Sequence, residues 1–102
     1  MELNVFFLNV LKYQDKETKE YKYRFSYLLN DTNAMQNTEK FKGLNELCFY
    51  TDNSLVFDKM KGEDTLKPMI LVVEQRSSYN NPLKQISQVT SIKTKNETIS
   101  LL

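Results

Sequence analysis

The stretch Lys19-Glu20-Tyr21-Lys22-Tyr23-Arg24-Phe25-Ser26-Tyr27-Leu28-Leu29 constrains the fold more than any other in the chain. Four aromatic rings, Tyr21, Tyr23, Phe25 and Tyr27, fall on every second residue. Strand side chains alternate between faces, so an extended backbone puts all four rings on one side and Lys22, Arg24 and Ser26 on the other. At helical spacing the same rings would scatter around the axis, and tyrosine and phenylalanine both favour strands. The segment is therefore read as a strand. Its functional question is whether protein covers the aromatic row or leaves it open, beside cations, to the flat faces of bases.

The remaining segments are read against that strand. Leu3 to Leu11 is a first strand, with Leu3, Val5, Phe7 and Leu11 on one face and Phe6, Leu8 and Val10 on the other. The polar run from Lys12 to Lys19 joins the two as a hairpin with an exposed, flexible connection, a candidate arm. Asn30-Asp31-Thr32-Asn33 has turn chemistry, and Met35 to Phe41 is compatible with a short helical turn. Glu46 to Thr51 is a third strand. Leu55-Val56-Phe57 reads as a short strand returning from the turn Asp52-Asn53-Ser54, the alternative being a helical turn capped by Ser54. Lys61 to Thr65 is an exposed loop.

Pro68 to Val73 is a run of apolar, largely β-branched residues too short for most helices, hence a buried strand. A hairpin tip follows, carrying Tyr79 between Arg76 and Lys84. The return strand, Gln85 to Ile92, has Ile86, Val89 and Ile92 out of strict alternation, which predicts a bulge. Residues 93–102 add one more short strand or fray. Five strands in hairpin-rich order within 102 residues predict a single all-β domain with a minor helical turn. Its expected form is a small five-stranded antiparallel barrel, closed or nearly so.

Composition narrows the function. The absence of histidine removes the commonest general base at neutral pH and the commonest nitrogen ligand. The single cysteine, Cys48, sits between Leu47 and Phe49 and reads as a small buried hydrophobe, not a nucleophile. Two glycines, Gly43 and Gly62, cannot build a phosphate-cradling loop. The spacing of Asp58, Glu63 and Asp64 specifies no metal loop. No enzyme, cofactor or metal is expected. One cysteine and no apolar span or charged leader fit a reducing, cytoplasmic setting with no membrane partner.

The net charge is only +1, but its distribution is uneven. Residues 1–29 carry five cations and four anions, residues 30–65 four and seven, and residues 66–102 five and two. A local basic patch can act where the total does not. Lys12, Lys16, Lys19, Lys22 and Arg24 flank or interleave the rings, and Arg76 and Lys84 bracket Tyr79. Such interleaving suits a single nucleic-acid strand, because charge tracks the backbone while rings take the bases. The plain alternative for the rings is the core, and for the first loop a solvated surface whose field Asp15, Glu17 and Glu20 blunt. Balancing the two, Phe25 and Tyr27 are expected to be largely buried, and Tyr21 and Tyr23 accessible.

Lys19-Glu20-Tyr21 followed by Tyr23 resembles the Lys-x-Tyr opening of the second strand in the small single-stranded-DNA-binding proteins of filamentous phages, the gene V protein type. The strand Met69 to Val73, its tip Ser77-Ser78-Tyr79 and the return through Ile86 resemble that family's late hairpin, which bears an aromatic at its tip. Together these cover about half the chain. The resemblance implies an OB-like five-stranded barrel that works as a homodimer and coats single strands. It would place Lys16 and Tyr21 on the strand and let Tyr79 reach a base held largely by the partner subunit. The first loop departs from the family in mixing lysines with acids, the tip lacks the glycines usual there, and residues 30–65 are longer and more acidic.

The function expected is thus binding of single-stranded nucleic acid, DNA in preference to RNA, in replication of a phage, plasmid or other mobile element. Lys12, Lys16, Lys19, Arg24, Arg76 and Lys84 would hold phosphates, and Tyr13, Tyr21, Tyr23 and Tyr79 would stack on bases. The rival class is a small mobile-element protein that binds and inhibits a host protein through the aromatic row or an edge strand. A third class is a structural or assembly protein.

Overall fold

A computed structural model describes the backbone of residues 1–77 and 85–102, and all of their side chains except those of residues 76, 77, 85 and 86. The N-terminal alternation becomes two long antiparallel strands, β1 (Glu2–Gln14) and β2 (Tyr21–Leu29). Residues 30–45 form no helical turn over Met35 to Phe41. Instead a 3-10 turn at Thr32–Ala34, capped by the Asp31 carboxylate accepting from the Asn33 N–H at 2.9 Å, precedes a small ladder of β3 (Gln36–Asn37) and β4 (Lys42–Gly43). The third predicted strand is β5 (Leu47–Thr51), which pairs with β2.

After β5 the chain turns into a short helix, α1 (Leu55–Asp58), where a strand over Leu55 to Phe57 was expected. Local polar chemistry decides this. The Asn53 carboxamide accepts from the Leu55 N–H at 3.0 Å, and the Asp58 and Lys59 N–H groups donate to the Ser54 and Leu55 carbonyls at 2.9 and 3.0 Å. An apolar triplet does not by itself distinguish strand from helix, whereas an Asx-type turn ahead of it favours the helix. The remaining strands are β6 (Pro68–Ser77), β7 (Gln85–Lys93) and β8 (Thr98–Ser100), so of the two alternatives for the tail, a short strand or fraying, the strand forms.

The main sheet has six antiparallel strands in the order β5-β2-β1-β6-β7-β8. The five-stranded closed barrel is therefore not what forms. Among the described residues β5 and β8 do not pair, so the sheet stays open. Both edge strands are short, and the chain leaves β5 into α1 instead of extending the ladder. No helix among the described residues is long and apolar enough to cross a membrane.

Two bulges set which residues face inward. The predicted irregularity in the return strand is an extra residue, Thr90. Val72 pairs with Ser91 but Val73 pairs with Val89, and the buried Thr90 hydroxyl donates to the Val72 carbonyl at 3.4 Å. A second bulge was not foreseen. Phe7 pairs with Tyr27 and Asn9 with Ser26, so Leu8 is the extra residue on β1. Because strand side chains have a period of two, one inserted residue exchanges the faces beyond it. Val10 consequently joins the inner face opposite Phe25, and Leu11 turns outward, 47 % exposed.

The inner face carries the core: Val5, Phe7, Phe25, Leu71 and Ile92 are buried, and Val56 of α1 and Met60 close over them. Phe25 is its aromatic centre, with ring centroids 5.1 Å from both Phe7 and Phe49. Offset and tilted ring pairs at this spacing add roughly 0.5–1.5 kcal/mol each beyond their burial.

Candidate nucleic-acid interface

The β1–β2 ribbon outruns its neighbours. Pairing of β1 with β6 stops at Phe6, and pairing of β2 with β5 stops at Tyr23. Beyond those rungs Leu11 to Gln14 and Tyr21 to Lys22 stand as a two-stranded projection, and solvent reaches both faces. Its tip is a built turn and not a loose arm. The Asp15 carboxylate accepts from the Glu17 and Thr18 N–H groups at 2.8 and 3.1 Å, and the Lys19 N–H donates to the Asp15 carbonyl at 2.9 Å. Lys19 closes the turn in the left-handed region at φ 64°. The Thr18 and Glu17 amides, with Lys22 3.5 Å away, hold the Asp15 carboxyl below its usual value.

On the inner face of this projection Tyr21 is 53 % exposed, with the Lys12 ammonium 4.5 Å from its ring centroid. A cation over an exposed ring contributes about 0.5–1 kcal/mol. Lys16 and Lys19 are exposed at the turn, and no described ion pair engages Lys12, Lys16 or Lys19. These residues lie together as the sequence suggested.

Tyr23 does not belong with them. It is 5 % exposed, its ring 5.9 Å from that of Phe57. The expectation that Tyr23 would stack on a base fails because α1 lands on the aromatic row. With residues 55–57 read as strand, nothing in the sequence reading supplied that cover. Phe25 is buried as expected, whereas Tyr27, expected to be largely buried, is only half-buried. Burial pushes the Tyr27 hydroxyl above its ordinary pKa, with Cys48 beside it adding to the effect.

The outer face holds a second group. Tyr13 lies opposite Lys22, and Arg24 is flanked by Leu11 on one side and Tyr50 on the other. The Tyr13 and Tyr50 rings meet edge to face at 6.4 Å, and Tyr50 is 63 % exposed. The Arg24 Nε is buried without a hydrogen-bond partner among the described residues. Tyr50 is the residue that sequence reasoning missed. Its only signal was alternation within Glu46 to Thr51, which sets Tyr50 on the face opposite Phe49.

The side chains of Arg76, Tyr79 and Lys84 lie outside the described residues. Cys48, expected to be buried, is exposed, because β5 is an edge strand covered on one face only. Among the described residues no three Cys, Asp or Glu side chains gather as a metal site; Asp64 instead accepts from the Lys61 N–H at 2.9 Å and pairs with Lys67 at 3.4 Å. Comparisons with protein-family models, with curated proteins and with solved structures return no match for this chain.

Proposed function

We propose that this protein binds single-stranded DNA with little sequence preference, as a cytoplasmic homodimer serving replication of a phage, plasmid or other mobile element. The observation that carries the reading is the half-exposed Tyr21 ring, backed by the Lys12 ammonium at 4.5 Å on a ribbon end that no other strand covers. Lys16 and Lys19 beside it are positioned to follow a phosphate backbone. Arg24 and the Tyr13–Tyr50 pair offer the same combination of charge and ring on the reverse face. Base-on-ring stacking contributes about 1–3 kcal/mol per base and tolerates any sequence. In this reading the sheet is OB-like but open between β5 and β8, and Arg76, Tyr79 and Lys84 extend the site.

With six tyrosines and no tryptophan, intrinsic tyrosine fluorescence reports binding directly. Titration with oligo-dT should quench it to saturation, and a duplex of equal length should bind far more weakly. The logarithm of the affinity should fall with the logarithm of salt concentration, by about 0.7 per phosphate contacted. Equal binding of duplex and single strand, or no quenching at low salt, would overturn the proposal.

A further inference from the structure

The open seam of the sheet is a groove of about 750 Å³, and its two sides are both unfinished strand edges. On one side β5 pairs with β2 alone. On the other, β7 pairs with β6 throughout, but β8 joins it only from Ser91 onward, so Ser87 to Val89 have no second strand neighbour among the described residues. Leu3, Tyr27, Phe49, Val73, Val89 and Leu101 give the groove an apolar floor, while Lys22, Asp52, Ser87 and Gln88 are among its polar lining; Lys22 is paired with Asp15 at 3.5 Å. Two rows of unpaired backbone groups over an apolar floor have the form of a slot from which one strand is missing. We propose that this slot takes one extended peptide segment of a protein partner, apolar on alternate residues and with a basic side chain at each end.

Charge selects that occupant. The five residues of β5 contain no proline and no charge, so none of the usual devices protects this edge. Glu46 and Asp52 flank it, both exposed and neither in a described ion pair. A second copy pairing antiparallel through β5, centred on Phe49, would set Glu46 of each chain against Asp52 of the other. Like charges directly opposite destabilise a ladder, which disfavours self-pairing in that register. The same carboxylates repel phosphates, so nucleic acid would not fill the groove itself, although Tyr50 on its rim is shared with the reverse-face group described above. A guest strand with cations about 20 Å apart, the span of six residues at 3.3–3.4 Å each, would meet both acids while its alternate apolar side chains enter the groove. The inference is independent of the DNA-binding proposal.

The test uses the fluorescein-labelled peptide Lys-Val-Thr-Val-Thr-Val-Lys and fluorescence anisotropy on the full chain. Saturable binding at one peptide per chain is expected. Ending the peptide in Glu instead of Lys, or introducing Glu46→Lys with Asp52→Lys in the protein, should each weaken it at least about tenfold. Methylating alternate peptide nitrogens should abolish binding, because strand addition depends on main-chain hydrogen bonds. Hydrogen exchange should slow at the amides of Leu47 to Thr51 when the peptide is bound. Equal binding of the acid-ended or N-methylated peptide, no saturation, or a β5-paired dimer that tightens on Glu46→Lys would overturn the proposal.

Discussion

The aromatic row of β2 has two ends that the same alternation produced and that differ in everything else. From Tyr23 to Tyr27 the row is flanked by β1 and β5; Phe57 of α1 lies against Tyr23 and Phe25 is fully buried, while Tyr27 is half-buried. Two residues before Tyr23, Tyr21 lies past the last rung of β5 and beyond the helix, and more than half of it meets solvent. One end consumes its rings in packing, and the other holds a ring up beside lysines. The difference teaches that a ring on a strand becomes core or platform according to what is laid across it, not according to its own chemistry.

Substitutions along the row break or sharpen that contrast. Phe25→Ala should have the largest effect, a loss of about 3–5 kcal/mol in chemical denaturation, since it empties the space between Phe7 and Phe49. A loss under about 1 kcal/mol would mean that this end is not the packed one. Tyr21→Ala should cost no more than about 1 kcal/mol of stability, the loss of the Lys12 contact, and weaken oligo-dT binding by about 1–3 kcal/mol. Unchanged affinity would remove the platform from the distal end. Tyr23→Ala should do the reverse, destabilising the fold while adding no specific loss of affinity in the protein that stays folded.

Smallest is the effect of the turn that presents Tyr21. Asp15→Ala should lower the thermal midpoint slightly, because the Thr18 and Glu17 amides lose their acceptor. The Asp15 carboxyl is held below the ordinary aspartate value of 3.8 in the folded protein. Its contribution is therefore complete above that pH and is lost as pH falls through the lower folded value. The gap between parent and variant should be present at neutral pH and vanish in acid; a gap that persists below both values would show that the carboxylate charge is not what organises the turn.

Much of the fold was legible where one periodicity stood alone. The alternation of Tyr21 to Tyr27, the apolar run from Pro68 and the broken phase of Ile86, Val89 and Ile92 each pointed to one structure, down to the bulge at Thr90. Legibility failed where two readings fitted equally. Between Phe6 and Leu11 apolar residues occupy both phases of the strand, so nothing local announced the bulge at Leu8 that turned Leu11 outward and Val10 inward. Leu55-Val56-Phe57 fitted either element, and misreading it as strand is what left Tyr23 uncovered. Of the candidate site, Lys12, Lys16, Lys19 and Tyr21 were readable because they neighbour one another along one hairpin. Tyr50 was not, because it reaches Tyr13 only through the pairing of β5 with β2.

The sequence by itself determined where the chain is extended, where it turns, and that rings and cations alternate along the second strand, since these depend on near neighbours and a period of two. Only the tertiary structure decided that the sheet stays open, that α1 covers Tyr23 while leaving Tyr21 bare, and that two unpaired edges border one groove. Those outcomes depend on contacts between residues tens of positions apart, and local propensity carries no information about which surface will lie over which.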